Sequence, residues 1–445
     1  MKAHLSSTSI SGLLVSAAMM LSGSGVRAQT LMELYEAARD YDAAFQSARL
    51  QYEANLARAE QGKAGMRTAA NLSAGLSYTD QDSNLSSLRR QIESRTVTAS
   101  ATHPLYRPAN QAAYDQAIKQ VEAAKVQLEV AEQDLVLRTS QAYFDVLGAQ
   151  DNLLAVQAQR NAVTEQLASA KRRFEVGTAT IVDTRQAQAA FDRIEAARIQ
   201  AENDLAVKRL ALDQLVGRAG TRALSLAAPV RLAPVQGDVN RWVGDAQTGH
   251  PNVRSAKTNL EIAELEVTRA QAGHKPTLDA TASQSVTQTP KGSASSAVVN
   301  RVSSTAVGLS FNLPLFAGYA TQNRIRETLA LSDKAKSDLE SAKRTVAQNT
   351  RSAYFNLISG LSRVEALQAA ETSAQSLVDS TRLGYQVGVT VNQEVLDAQS
   401  QLFNSRRDLA LARYEVLLGG LRLKQVSGSL NPDDLKPINQ MLVKP

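Results

Sequence analysis

Four histidines (His4, His103, His250 and His274) supply all the imidazole in 445 residues, and they are too scattered for metal-ligand spacing. Cysteine is absent, which excludes disulfides, thiolate metal sites, a cysteine nucleophile and a lipid-modified N-terminal Cys. No Gly-x-Ser-x-Gly elbow or Gly-rich phosphate loop appears; Gly23-Ser24-Gly25 lies in the N-terminal leader and has no strand context. The residues therefore point away from an enzyme, a resident metal or an organic cofactor. A net charge of +6, from 49 basic and 43 acidic residues, is too diluted to indicate a nucleic-acid partner. What remains is the physical chemistry of charge on helices. Glu394 and Asp397 lie three residues apart, so a helix places them on one face, about one turn from each other.

The elements that must carry such groups are long. Only 4% of the residues are aromatic, and Trp242 is the sole tryptophan, whereas Ala, Gln, Ser and Thr abound. That supply suits long helices packed through small side chains. The chain begins as an export leader: Lys2, an apolar stretch from Leu13 to Leu21, and small residues at Val26 and Ala28 for cleavage before Gln29. Beyond residue 28 no apolar stretch is long enough for a transmembrane helix.

The mature chain repeats itself. Ser47-Ala48-Arg49 matches Ser255-Ala256-Lys257, Pro104-Leu105-Tyr106 matches Pro314-Leu315-Phe316, and Ala142-Tyr143-Phe144-Asp145 matches Ala353-Tyr354-Phe355-Asn356. The order never breaks, so two structural repeats are expected at 29–217 and 250–428. An irregular connector over 218–249 and a tail over 429–445 complete the chain. In each repeat a coiled-coil hairpin follows two strands. Val121, Ala124, Leu128, Ala131 and Leu135 open a series with a period near 3.5 that runs to Phe174. This predicts helices over about 108–173 and 182–216, and over 321–384 and 392–426. A rod of ~65 residues is about 100 Å long. Val176-Gly177-Thr178 and Val387-Gly388-Val389 supply the reversals.

Before each rod the period drops to 2. Strands are expected over about 70–79, 95–105, 277–287 and 304–313, apolar on one face and small and polar on the other, as in a membrane barrel. The polar links 79–94 and 287–303 read as outer loops. Four strands cannot close a barrel, and open edges in lipid cost several kcal/mol per unpaired group. The strands must then be pooled between subunits. Small inward residues favour twelve strands around a lumen, hence a homotrimer. The fold class expected is mainly α with a small transmembrane β part: a twelve-stranded barrel on a periplasmic α-helical barrel.

The tandem halves, the Ala-Tyr-Phe motifs and the two turns (Arg173 to Thr178 and Gly384 to Val389) resemble the TolC family of outer-membrane export ducts. The segment Glu394-Val395-Leu396-Asp397-Ala398 adds to that likeness. It covers about Leu31 to Leu442. The resemblance implies a trimeric exit duct in the outer membrane, with a long periplasmic extension. Such a duct works with a periplasmic adaptor and an inner-membrane transporter, ABC or proton-driven, to pass small molecules or secreted proteins outward. The partners, not the duct, read the cargo. It further implies that Glu394 and Asp397 form acidic rings at the periplasmic gate, that Asp183 and Tyr385 supply gate-closing links, and that Val176, Gly177, Thr178, Val387, Gly388 and Val389 are adaptor-docking tips. Thr390 stands where relatives carry an arginine of the closing network. A periplasmic coiled-coil adaptor would need a lipoyl-like half-motif instead, and a structural envelope coiled coil leaves the alternating strands without a purpose.

Overall fold

The structure, a computed structural model, describes residues 29–443 apart from 84–85, 228–229, 231 and 293–297. The expected leader over 1–28 lies outside the described residues. The first half runs α1 (Leu31–Tyr41), α2 (Ala43–Ala64), β1 (Ala69–Ser83), β2 (Ser86–Tyr106), α3 (Pro108–Glu175) and α4 (Ile181–Val216). The second half repeats the order with α5 (Val239–Gly249), α6 (Pro251–Gln271), β3 (Thr277–Thr289), β4 (Asn300–Asn312), α7 (Ala320–Gln386) and α8 (Asn392–Val426). A short α9 (Leu435–Gln440) ends it.

The rods α3 and α7 hold 68 and 67 residues, so each is about 100 Å long. Each pairs with its returning helix through small or slender side chains. Ala170 meets Ala187 beside Leu167 in the first hairpin. Ala374 and Val378 meet Ala398 and Leu402 in the second. The larger core sits at the hairpin roots. There Leu135, Tyr143 and Phe144 of α3 pack with Leu31, Leu34 and Tyr35 of α1, Leu212 of α4 and Leu418 of α8. Tyr143 is fully buried. Its hydroxyl donates to Leu224 O at 2.9 Å and accepts from Leu224 N–H at 3.0 Å, which stitches the connector to the rod. In the second repeat Tyr354 and Phe355 keep the edge-to-face contact at 5.8 Å, yet Phe355 lies exposed on the single chain.

The four strands form one antiparallel sheet in the order β1-β2-β3-β4, leaving β1 and β4 as edges. The register puts like with like. Ala101, Ala282 and Val307 lie in one cross-strand row, and Ala280 with Leu309 and Leu278 with Phe311 extend that face. On the other face Thr98 donates to Ser285 at 3.2 Å, and Thr96 and Thr287 share a bond at 3.2 Å. Val307, Leu309 and Phe311 remain exposed, as lipid-facing side chains must. Pro104 pairs with Asp279 where the β2–β3 register shifts, at the end of the ladder. Just below, Arg107 grips Asp279 with two bonds of 2.7 and 2.6 Å, joining the start of α3 to β3.

Two expectations need correction. The polar segment 79–94 is strand rather than loop over most of its length: Tyr78 pairs with Glu93, Asp80 with Gln91 and Ser83 with Ser86. A hairpin satisfies its backbone through the ladder whatever its side chains, so polarity did not mark a loop there. The connector is not wholly irregular. Asp238 caps α5 by accepting Val239 N–H at 2.7 Å, and Val243 and Ala246 are its buried face.

Candidate functional site: the free end of the hairpins

The hairpins reverse at Gly177 and Gly388, whose φ angles of 78° and 80° suit glycine. Thr178 N–H donates to Arg173 O and Val389 N–H to Gly384 O, both at 2.8 Å. These bonds close the helix ends. The side chains of Val176, Val387 and Val389 are bare, with Val389 80% exposed. Thr178 also points to solvent, and its hydroxyl donates to Arg173 O at 3.1 Å. The six tip residues therefore form two small apolar knuckles side by side.

Glu394 and Asp397 lie on the exposed face of α8, opposite Leu396 and Ala398, which are buried against the helices behind. Glu394 stands in the first turn of α8, where the helix dipole favours a carboxylate. Asp397 accepts from Gln393 Nε2 at 2.8 Å. The pair keeps its charge facing outward from the hairpin.

The two expected closing groups have other partners within the chain. Asp183 completes a capping box at the start of α4. It accepts from Thr180 N–H at 2.8 Å and from the Thr180 hydroxyl at 2.7 Å, while Thr180 Oγ1 accepts Asp183 N–H. Tyr385 lies under the guanidinium of Arg173, 4.3 Å from its ring centroid, and Arg173 Nη1 donates to Tyr385 O at 3.4 Å. Arg173 belongs to the first hairpin and Tyr385 to the second, so this stack joins the two free ends. Thr390 turns inward, and its hydroxyl donates to Thr381 O at 3.0 Å. The cation at this level thus comes from α3, not from position 390.

A second tie was not legible beforehand. Asn392, almost fully buried, accepts from Gln166 Nε2 of α3 and donates to Asp183 O of α4 at 3.5 Å. Further up, Tyr414 of α8 donates to the Asp151 carboxylate of α3, and Phe144 stacks on Tyr414 at 5.5 Å. Burial raises the Asp151 carboxyl above its usual range even though the bond opposes it. A polar residue at the first position of a helix, such as Asn392, was the one signal for the lower tie. Its partner is 226 residues away.

A profile of the family described as "Outer membrane efflux protein" matches residues 34–218 and 242–429. The outer membrane protein TolC of Escherichia coli K12 is 30% identical over 430 residues, covering 94% of this chain and 86% of that protein. The proteases secretion protein PrtF of Dickeya chrysanthemi is 26% identical over 438 residues, 95% and 93% of the two chains. Among solved structures, the outer membrane protein VceC of Vibrio cholerae superposes with a TM-score of 0.75 at 19% identity, over 90% of this chain and 96% of that one. The open state of the Neisseria gonorrhoeae MtrE outer membrane channel gives 0.72 at 18% identity, over 91% and 90%.

Proposed function

The chain belongs to the outer membrane efflux protein family, and from that premise we propose that three copies build a duct whose free hairpin ends form the periplasmic gate. It is an outer-membrane channel of the efflux and secretion class, not an enzyme, and it works with efflux or secretion partners. The observation that carries the assembly is the sheet with its two open edges. In lipid those edges must pair, β4 of one copy with β1 of the next. Twelve strands then leave room for a lumen lined by the Ser and Thr face. Below it the hairpins of three copies continue the passage as a helical tunnel across the periplasm.

At the far end Glu394 and Asp397 of three copies give six carboxylates, which draw cations to the mouth. The stack of Arg173 on Tyr385 and the Asn392 node support a closed position of the second hairpin against the first. Opening requires that these ties give way. The bare knuckles at 176–178 and 387–389 suit docking to a periplasmic adaptor, itself seated on an inner-membrane transporter. The fine choice of adaptor and transporter sets whether the cargo is a small molecule or a secreted protein.

Native mass measurement on detergent-extracted protein tests the assembly. Three times the chain mass is expected, with ion conduction in a planar bilayer. A monomer that stays soluble without detergent would overturn it. The tips give a separate test. The ideal Cβ of Gly177 or Gly388 would meet nothing within 4 Å, so a change there acts on the turn alone. Gly177→Val and Gly388→Val together place β-branched residues at positive φ. Transporter-dependent export should fall while assembly stays intact. Unchanged export would count against docking at the tips.

A further inference from the structure

The two repeats put different chemistry at one equivalent joint. In the first, Asp42 separates α1 from α2 and caps α2, accepting Phe45 N–H at 2.8 Å. Asp42 also receives both arms of Arg138 from α3, at 3.0 and 3.1 Å, and Asp134 takes the same guanidinium at 2.6 Å. In the second repeat the joint between α5 and α6 is His250. Its backbone is nearly the same: φ −61° and ψ 132°, against −61° and 116° at Asp42. Its Nδ1 accepts Asn252 N–H at 3.0 Å, so the imidazole does the capping. The residues at the places of Asp134 and Arg138 are Thr345 and Asn349. Where the first repeat holds a filled ion pair, the second holds a cavity of about 300 Å³ lined by His250, Asp338, Thr345 and Asn349.

The His250 joint bears directly on the root of the second hairpin. The chain leaving α8 passes Gly428 so close to His250 that an added Cβ would lie 2.6 Å from His250 Cα. Two residues earlier, Val426 O accepts from the Thr350 hydroxyl of α7 at 3.0 Å. The charged groups around the joint are already engaged. Asp338 of α7 holds Lys334 at 2.7 Å, Arg254 of α6 holds Glu129 of α3 at 2.6 Å, and Lys424 of α8 holds Asp434 at 2.7 Å.

We propose that this joint is a proton-operated release: protonation of His250 uncaps α6 and loosens the root of the second hairpin, while the joint of the first repeat stays locked. An Nδ1 that carries a proton cannot accept Asn252 N–H, and an imidazolium at a helix N-terminus opposes the dipole. The sign agrees. Burial lowers the His250 pKa, so its contribution is present above about pH 6.5 and is lost as pH falls through the lower folded value. The Asp42 carboxyl is held below its usual range, first by the bond from Arg138. Its contribution is present above about pH 3.9 and is lost only below that. Between these two limits the joints part company.

Amide hydrogen exchange on the full-length protein in detergent, corrected for intrinsic rate, reads the release. Going from about pH 7.5 to about pH 5, the first-turn amides of α6 should lose about fivefold in protection. The first turn of α2 should not change. His250→Asp copies the first repeat's cap and His250→Asn keeps a neutral acceptor, so both should abolish the loss at α6. Should either variant fail to fold, the other still decides. Equal protection of α6 at both pH values in the wild type would overturn the proposal. So would an acid loss that persists in a folded variant.

Discussion

Replacing Glu394 and Asp397 together with alanine is expected to change ion selectivity and to weaken block by multivalent cations about tenfold in a planar-bilayer recording, with little change in conductance. Both carboxylates face out from α8 and neither holds a helix–helix contact, so their removal takes away charge without moving the hairpin. In the proposed three-copy mouth, six charges at close range would contribute on the order of 1 kcal/mol each at a wet surface, which exceeds what a tenfold change requires. The opposite result is expected when the ties are cut. Arg173→Gln with Tyr385→Leu removes the stack that joins the two hairpin ends, a contact of about 1 kcal/mol per copy at an exposed site. Conductance should rise severalfold while selectivity keeps its sign. Asp183 is a poor choice for this experiment, because its loss also removes the carboxylate half of the capping box that starts α4. Asp183→Asn preserves an acceptor there and isolates the charge. If the acid double variant retains wild-type selectivity and block, the two carboxylates lie outside the passage.

A second large effect is expected at Gly428. Its φ of 77° costs an alanine about 1–2 kcal/mol. The added Cβ would also sit 2.6 Å from His250 Cα and 3.0 Å from His250 N, which are backbone atoms and cannot swing aside. Overpacking of that kind adds about 1–3 kcal/mol. Gly428→Ala should therefore lower stability by roughly 3 kcal/mol or more and sharply cut the yield of assembled protein. Gly217, its counterpart in the first repeat, has a similar φ of 69°, but the atoms nearest its Cβ would be those of the Tyr41 ring. Tyr41 is 61% exposed, so it turns away at small cost. At Gly177 the Cβ meets nothing and only the φ penalty applies. The order Gly428 above Gly217 above Gly177, read by thermal unfolding in detergent, follows from contacts alone. Equal losses at the three sites would show that backbone angle outweighs packing.

The long elements were legible because their signals are local and repeated. A period near 3.5 over fifty residues, with glycine just past the C-terminus of each rod, leaves few alternatives to α3 and α7, and alternation of small polar with apolar side chains marks β3 and β4. The tandem order itself implied that both halves share one architecture. Legibility failed where a segment has no apolar face to show. Tyr78 to Ser83 pair with Ser86 to Glu93 in an antiparallel ladder whose sequence lacks an apolar alternation, and α5 buries only a few side chains within a stretch rich in Pro and Gly. The candidate site divides the same way. Glu394, Asp397 and the two glycine turns stand out from spacing and resemblance, since charge on a helix face and glycine at a reversal are properties of short segments. The stack of Arg173 on Tyr385, the Asn392 node and the contrast between Asp42 and His250 do not. Each depends on which helix lies beside which, across more than two hundred residues or between two copies of a fold. That is decided by packing the small-residue faces together, and only the tertiary structure records it.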